Sequence, residues 1–223
     1  MATTMGVKVK ICGLCRPEDA RAAADAGADA LGLNFVPESP RCLKSREAAR
    51  AVLAGAQPFA GLVVGLFVNP TLDEVLAAAR EVPLGAIQLH GEEPAEFGPE
   101  LRRRLRVPLW KAYRVRRASD LGALERDAWP CDALVLDARV AGGPRGGTGR
   151  AFDWGLLADF RPLVPLVLAG GVTPENVAEA VRRVRPAWVD TASGVESAPG
   201  VKDAAKVRAF IEAAKGTGQR GQK

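Results

Sequence analysis

The sequence contains only one histidine, His90, and only four cysteines, Cys12, Cys15, Cys42 and Cys131. A metal site with two histidine ligands is therefore excluded. Four cysteines in a chain of 223 residues argue for free thiols and against a disulfide framework. The sequence also lacks any run of about 18 uncharged apolar residues, and the segment MATTMGVKVK lacks the apolar core of a signal peptide. We therefore expect a cytoplasmic protein with no membrane partner.

Aromatic residues make up only 5% of the chain, although its formal net charge is +5. A positive charge permits an anionic partner, which could be a nucleic acid or a phosphorylated metabolite. Arginines cluster at 102–104, at 114–117 and at 182–185. These clusters, however, lie in or beside polar, helix-like stretches, with no interleaved aromatic residues and no nucleic-acid-binding motif. We interpret the clusters as solvated faces and expect no nucleic-acid partner.

Short apolar runs alternate with Ala-rich amphipathic stretches along the whole chain. The predicted strands are 7–12, 29–35, 60–68, 84–90, 107–114, 131–137, 165–170 and 187–193. The predicted helices are 17–26, 45–55, 71–81, 93–105, 118–127, 153–160, 174–184 and 202–214. Continuous apolar runs are typical of parallel strands covered by helices, and no linker composition marks a boundary. The pattern predicts an α/β fold, a single (β/α)8 TIM barrel over residues 1–223, with flexible tails at 1–6 and 215–223.

The alternation of side chains along two strands predicts which residues reach the mouth of this barrel. In VKVKIC the apolar residues share one face, so Lys10 and Cys12 share the other and point inward. In CDALVLD the same reasoning puts Ala133, Val135 and Asp137 inside. The first and sixth strands stand roughly across the barrel from one another. A thiol and a carboxyl could therefore remove a proton at one substrate atom and deliver a proton at another.

Glycines follow both of the last two predicted strands, in LAGG and in DTASG. Barrels often bind phosphate between the loops after strands seven and eight, where backbone N–H groups are accessible. Gly170, Gly171, Ser193 and Gly194 are the phosphate-binding candidates, and a phosphorylated small molecule is the expected substrate. A purely structural role for these residues stays open. Glycines also make ordinary turns, buried cysteines are often small core residues, and Asp137 could cap a loop.

Six motifs occur in order along nearly the whole chain. They are KICGLCRPEDA (10–20), QLHGEEP (88–94), LVLD (134–137), GGTGRAFDW (146–154), LAGGVTPENV (168–177) and VDTASGVESAPGVKD (189–203). In this combination the chain resembles the phosphoribosylanthranilate isomerases of tryptophan biosynthesis. The resemblance implies an Amadori rearrangement, in which the aminoaldose N-(5-phosphoribosyl)anthranilate becomes 1-(2-carboxyphenylamino)-1-deoxyribulose 5-phosphate.

The resemblance also assigns roles to individual residues. Cys12 in KICG matches the family's catalytic base, and Asp137 matches its catalytic acid. No metal or organic cofactor is implied, because the protonated imine formed from the substrate is itself the electron sink. Four residues match substrate-binding positions: Arg41 for the anthranilate carboxylate, Gln88 and His90 in QLHG for positioning, and Asp190 for a ribose hydroxyl.

The chain departs from the family pattern at two places. Cys15 stands where the family usually has Thr, and the usual SSG reads Ala192-Ser193-Gly194. The Gly-rich segment 138–151 carries three arginines and is expected to form a mobile cover over the substrate. Oligomeric state stays open between a monomer and a homodimer.

Three other interpretations compete with this one. A two-substrate sugar isomerase of histidine and tryptophan synthesis would be expected to carry an aspartate at the position of Cys12, and indole-glycerol-phosphate synthase would need a lysine acid. A CxxC redox or zinc module, suggested by the spacing of Cys12 and Cys15, would require a second CxxC or ligand histidines, and the sequence has neither.

Overall fold

In a computed structural model, residues 6–115, 120–121, 124, 129–137, 154–157 and 160–217 are described. Eight parallel strands form a closed barrel in which each strand pairs with its neighbours in chain order and β1 pairs with β8. The predicted TIM barrel is confirmed. The strands are β1 Lys8–Cys12, β2 Ala30–Asn34, β3 Leu62–Phe67, β4 Ala86–Leu89, β5 Leu109–Arg114, β6 Ala133–Asp137, β7 Leu166–Ala169 and β8 Trp188–Thr191.

Six helices cover the outside of the barrel in the described part of the chain. They are α1 Pro17–Asp25, α2 Arg46–Gly55, α3 Leu72–Glu81, α4 Phe97–Arg104, α5 Val177–Val184 and α6 Ala204–Lys215. Several helix starts follow from local chemistry. Ser45 accepts a hydrogen bond from the Ala48 N–H at the start of α2, and Thr71 forms a capping box with Glu74 at the start of α3.

Three predicted helices differ from the structure by more than two residues at a boundary or in helix type. Helix α4 begins at Phe97 rather than residue 93, and α5 begins at Val177 rather than residue 174, because a turn around Thr173 precedes it. Within the predicted helix 153–160, Trp154–Leu157 form a short 3-10 turn. The predicted helix 118–127 and the segment 138–151 lie largely or wholly outside the described residues, as do most of the predicted tails.

A short antiparallel hairpin follows β8 and was not predicted from the sequence. It consists of β9 Glu196–Ala198 and β10 Val201–Lys202, and it precedes α6. Its Gly200 adopts a φ of +80°, and a Cβ at this position would lie 3.2 Å from the Pro40 carbonyl oxygen. The hairpin therefore lies against the loop that follows β2.

Two apolar layers result from the alternation of side chains along the strands. The barrel interior holds small and aromatic residues, among them Ala30, Val64, Ala133, Val135 and Trp110. The residues that alternate with them pack outward against the helices, as Val9, Ile11, Leu134 and Leu136 do. The predicted inward faces of β1 and β6 are thus confirmed. No helix of the described residues is long and apolar enough to cross a membrane.

Candidate active site

Cys12 is the last residue of β1 and is buried at the mouth of the barrel. It follows Lys10 on the same strand face, and the Lys10 side chain is fully buried. The space that both side chains occupy exists because residue 32 on the neighbouring strand is glycine. A Cβ there would lie 2.9 Å from Cys12 Sγ and 3.1 Å from Lys10 Cε. Gly32 therefore allows the thiol and the lysine to lie next to each other.

Lys10 is held by an ion pair with Asp190 of β8. Its Nζ donates a hydrogen bond to Asp190 Oδ2 at 2.9 Å, and the two residues are direct partners in the β1–β8 pairing. Burial acts to lower the pKa of Lys10, but its attraction to Asp190, with a smaller contribution from Cys12, outweighs burial and raises that pKa. Lys10 is thus a buried cation beside the thiol.

The Cys12 thiol experiences opposing influences. Burial raises its pKa above the ordinary value, and the nearby charge of Lys10 lowers it without cancelling the effect of burial. Asp190 acts in the same direction as burial, because its negative charge disfavours a thiolate. The resting structure therefore favours a protonated thiol with a cation already in position to stabilise its ionised form.

Asp137 is the last residue of β6 and lies beside His90 at the mouth. The distance between His90 Nε2 and Asp137 Oδ2 is 3.5 Å, and the other ring nitrogen, Nδ1, lies 3.1 Å from Gln88 Nε2. In the arrangement in which Gln88 Nε2 donates to Nδ1, a neutral His90 carries its proton on Nε2, facing the carboxyl. Gln88, His90 and Asp137 thus form a chain of contacts that can orient the carboxyl, and the positioning role of Gln88 and His90 stays a prediction.

A buried network that sequence reasoning missed supports the turn that carries His90. Glu93 accepts hydrogen bonds from the backbone N–H groups of Asn69 (2.9 Å) and Gly91 (3.0 Å). Its other oxygen pairs with Lys111 Nζ at 2.5 Å, and Lys111 also donates to the Gly91 carbonyl. Both side chains are almost fully buried. The signal was present in the sequence as the second glutamate of QLHGEE.

Arg41 lies beside the turn that follows Cys12, where Gly13 adopts a φ of +69°. A Cβ at Gly13 would lie 2.4 Å from Arg41 Cδ, so glycine is needed both for the backbone conformation and for this contact. The guanidinium pairs with Glu196 through two short hydrogen bonds, an interaction that sequence reasoning also missed. Arg41 thus belongs to the same mouth as Cys12.

The predicted phosphate-binding residues lie on two loops that contact each other. Gly170 and Gly171 have φ values of +80° and +70°, and no atom lies within 4 Å of a Cβ built on Gly171. Ser193 starts a 3-10 turn, and a Cβ on Gly194 would lie 2.2 Å from the Val172 carbonyl oxygen. The loops after β7 and β8 are therefore brought together, and Gly171 is open to solvent.

The buried acceptor atoms Gln88 Oε1 and Asp190 Oδ1 have no hydrogen-bond partner among the described residues. Both belong to inward-facing residues. Unpaired buried acceptors are costly, and substrate hydroxyl groups are donors that could satisfy them. The predicted contact between Asp190 and a ribose hydroxyl is compatible with this arrangement, because Lys10 occupies only the other carboxylate oxygen.

Cys15 does not pair with Cys12. All four cysteines are free, and Cys15 Sγ contacts the Gly13 carbonyl oxygen at 3.7 Å. The thiol thus makes the local contact that the family's usual threonine hydroxyl could make. No cluster of metal-ligating side chains occurs in the described residues.

A closed parallel barrel with ionisable side chains gathered at the carboxyl ends of its strands defines a (β/α)8-barrel enzyme. Comparison with protein families gives a match over residues 9–213 to N-(5'-phosphoribosyl)anthranilate (PRA) isomerase. The chain belongs to this family of isomerases, which act in tryptophan biosynthesis.

Individual relatives agree along nearly the full length. The N-(5'-phosphoribosyl)anthranilate isomerase of Thiobacillus denitrificans is 49% identical over 214 residues, which cover 95% of this chain and 99% of the relative. The crystal structure of phosphoribosyl anthranilate isomerase from Thermotoga maritima is 42% identical, covers 94% of this chain and 99% of its own, and has a TM-score of 0.82. A second solved phosphoribosyl anthranilate isomerase, in complex with reduced 1-(o-carboxyphenylamino)-1-deoxyribulose 5-phosphate, is 40% identical with the same coverage and a TM-score of 0.79.

Proposed function

We propose that this chain converts N-(5'-phosphoribosyl)anthranilate to 1-(2-carboxyphenylamino)-1-deoxyribulose 5-phosphate, with Asp137 as the general acid and Cys12 as the general base. The observation that carries the proposal is the pairing of a buried strand-end thiol on β1 with a carboxyl on β6 that lies beside His90, in a member of this family. A phosphorylated substrate is consistent with the joined glycine loops after β7 and β8.

The reaction begins when Asp137 protonates the ring oxygen of the furanose. The bond between this oxygen and C1 breaks, and the nitrogen lone pair forms the double bond of a protonated Schiff base. The Cys12 thiol releases its proton to water, and the resulting thiolate takes the proton from C2, while the C–H electrons flow into the iminium to give an enolamine. Tautomerisation of the enolamine yields the ketone, so atoms and electrons balance without a redox partner.

The electrostatics of the site explain how a thiol whose pKa is raised by burial could act as the base. The iminium intermediate brings a second positive charge close to the sulfur, in addition to the buried charge of Lys10. Two neighbouring cations favour the thiolate, and they do so when it is needed. Gln88, Asp190 and Arg41 would hold the substrate, while Gly170, Gly171, Ser193 and Gly194 would hold its phosphate. All these residues belong to a single chain, so the proposal is the same for a monomer and for a homodimer.

The test follows the fluorescence of phosphoribosylanthranilate after addition of the purified protein, with EDTA present. We expect rapid loss of fluorescence with wild type and very little with Cys12→Ala or Asp137→Ala. Cys131→Ala and Asp25→Asn are matched controls away from the mouth, because Cys131 precedes β6 and the exposed Asp25 is the last residue of α1, so both lie at the opposite end of the barrel. No turnover by wild type would refute the reaction, and full turnover by either active-site variant would refute that residue's role.

A further inference from the structure

Arg41 forms a cluster at the barrel mouth with Glu196 and Lys202, two charged side chains to which the proposed chemistry gives no role. Glu196 accepts hydrogen bonds from Arg41 Nε (2.7 Å) and Nη2 (2.6 Å), and Lys202 Nζ pairs with the same carboxylate at 2.9 Å. The Lys202 side chain is fully buried and the Glu196 side chain is 6% exposed, whereas that of Arg41 is 21% exposed. The cluster is therefore buried at one end and open at the other.

The hairpin after β8 builds this cluster. Glu196 and Lys202 are cross-strand partners in the β9–β10 pairing, so their ion pair is fixed by the hairpin itself. Lys202 also donates to the Ala192 carbonyl, and its backbone N–H donates to Asp19 in α1. Burial acts to raise the pKa of Glu196, but hydrogen bonds from Arg41 and Lys202 outweigh it and lower that pKa. Glu196 is thus a rigidly held anion.

The charge balance of the cluster favours an anionic ligand. Arg41 and Lys202 are cations and Glu196 is the single anion, so one positive charge is left over, and Arg41 is the member exposed to solvent. Glu196 occupies one edge of the guanidinium, the edge formed by Nε and Nη2. Among the described residues, Nη1 has no hydrogen-bond partner. The free edge, formed by Nη1 and Nη2, matches the geometry of a second carboxylate.

We propose that Glu196 is a positioning residue that fixes Arg41 by one edge, so that the other edge receives the aromatic carboxylate of the substrate. This inference rests on the proposed function and deepens it, because it assigns the selection of a carboxylated aromatic amine to the β9–β10 hairpin. Lys202 keeps Glu196 charged and in place, and the Arg41 stem packed on Gly13 ties the clamp to the turn after Cys12.

The experiment compares two ligands by isothermal titration calorimetry. One is reduced 1-(o-carboxyphenylamino)-1-deoxyribulose 5-phosphate, and the other is the same molecule without the carboxyl group. The carboxylate ratio is the dissociation constant of the ligand without the carboxyl group divided by that of the ligand with it. This ratio measures recognition of the carboxylate alone, because contributions from the shared phosphate and sugar cancel. The variants are Arg41→Met and the double variant Glu196→Gln/Lys202→Met. The double variant avoids leaving Lys202 buried without its carboxylate and keeps the net charge of the cluster.

Glu179→Gln is the matched control, because it breaks an exposed Glu–Arg pair on α5. We expect the ratio to be unchanged in the control, to fall on the order of tenfold in the double variant, and to approach 1 in Arg41→Met. With the fluorescent substrate, the double variant should raise KM and leave kcat nearly unchanged, since the carboxylate is remote from the reacting carbons. Thermal unfolding of each variant shows that it is folded.

The possible failures are distinguishable. A folded double variant with the wild-type ratio would refute the positioning role of Glu196, even if the ratio falls to about 1 in Arg41→Met. A wild-type ratio in Arg41→Met would remove the carboxylate site itself. Absence of turnover by wild type would refute the proposed function, whatever the ligand ratios.

Discussion

Replacing Lys10 by methionine tests whether the buried lysine activates the thiol. The substitution keeps a side chain of similar length but removes the cation that contacts Asp190 at 2.9 Å. Asp190 then keeps a buried carboxylate whose second oxygen, Oδ1, already has no partner among the described residues. Breaking a buried ion pair in this way costs about 3–5 kcal/mol, a large share of the roughly 5–15 kcal/mol by which domains are stable.

Urea unfolding measures the lost stability, and the pH dependence of iodoacetamide alkylation measures the thiol. Tandem mass spectrometry of the peptides locates the alkylated residue and so distinguishes Cys12 from Cys15, three residues away, and from Cys42 and Cys131. Lys10 lowers the pKa of Cys12, so its removal should move the alkylation midpoint of Cys12 to higher pH. Lys8→Met is the control, because this exposed lysine of the same strand lies over the Trp188 ring rather than beside the thiol.

The double variant Lys10→Met/Asp190→Asn separates stability from reactivity. It should recover much of the lost stability, because no uncompensated charge remains, but not the activity. The pKa of Lys10 is raised in the folded state, so the stabilisation from its charge is complete below about pH 10.4 and is lost as pH rises through the higher folded value. The difference in the free energy of unfolding between wild type and Lys10→Met should therefore become smaller only in strongly alkaline solution. An unchanged Cys12 midpoint in a folded Lys10→Met variant would refute the reasoning.

Three further predictions concern neighbouring positions. Gly32→Ala should displace the Cys12 thiol, because the added Cβ would lie 2.9 Å from Sγ; we expect kcat to fall about 10²-fold and stability by about 1–3 kcal/mol, measured by fluorescence assay and urea unfolding. His90→Asn should lower kcat by roughly tenfold through misorientation of Asp137, well short of the roughly 10²–10⁴-fold contribution of a general acid; a loss equal to that of Asp137→Ala would contradict positioning. In the fluorescence assay, Cys15→Thr should leave turnover nearly intact while Cys12→Ser largely abolishes it, and equal losses in the two variants would revive the dithiol interpretation.

Alternation along β1 and β6 was enough to predict the inward faces of these strands. Both predictions rest on a local property, the two-residue period of a strand, which requires no knowledge of distant residues. The side of the barrel on which Lys10, Cys12 and Asp137 lie was therefore predictable, as was the glycine-rich character of the last two loops.

The partners of these residues were not predictable, because they depend on contacts between distant parts of the chain. Lys10 and Asp190 are separated by 180 positions and meet only through the register in which the barrel closes. Arg41 and Glu196 are separated by 155 positions and meet because an unpredicted hairpin folds over the mouth. Lys111 lies on a strand face that the alternation assigns to apolar residues, so nothing in its own strand indicates that it pairs with Glu93, the second glutamate of QLHGEE.

The pairing of β1 with β8 has a consequence for when the enzyme becomes competent. The cation beside Cys12 is neutralised by a carboxylate from the last strand of the ring, and Arg41 is fixed by the hairpin that follows that strand. During synthesis on a ribosome, a nascent chain that carries the first seven strands would already contain both Cys12 and Asp137. It would nevertheless lack the counterion of Lys10 and the clamp on Arg41. A partial product of translation or proteolysis that lacks β8 and the hairpin would therefore carry both proposed catalytic residues without these two contacts.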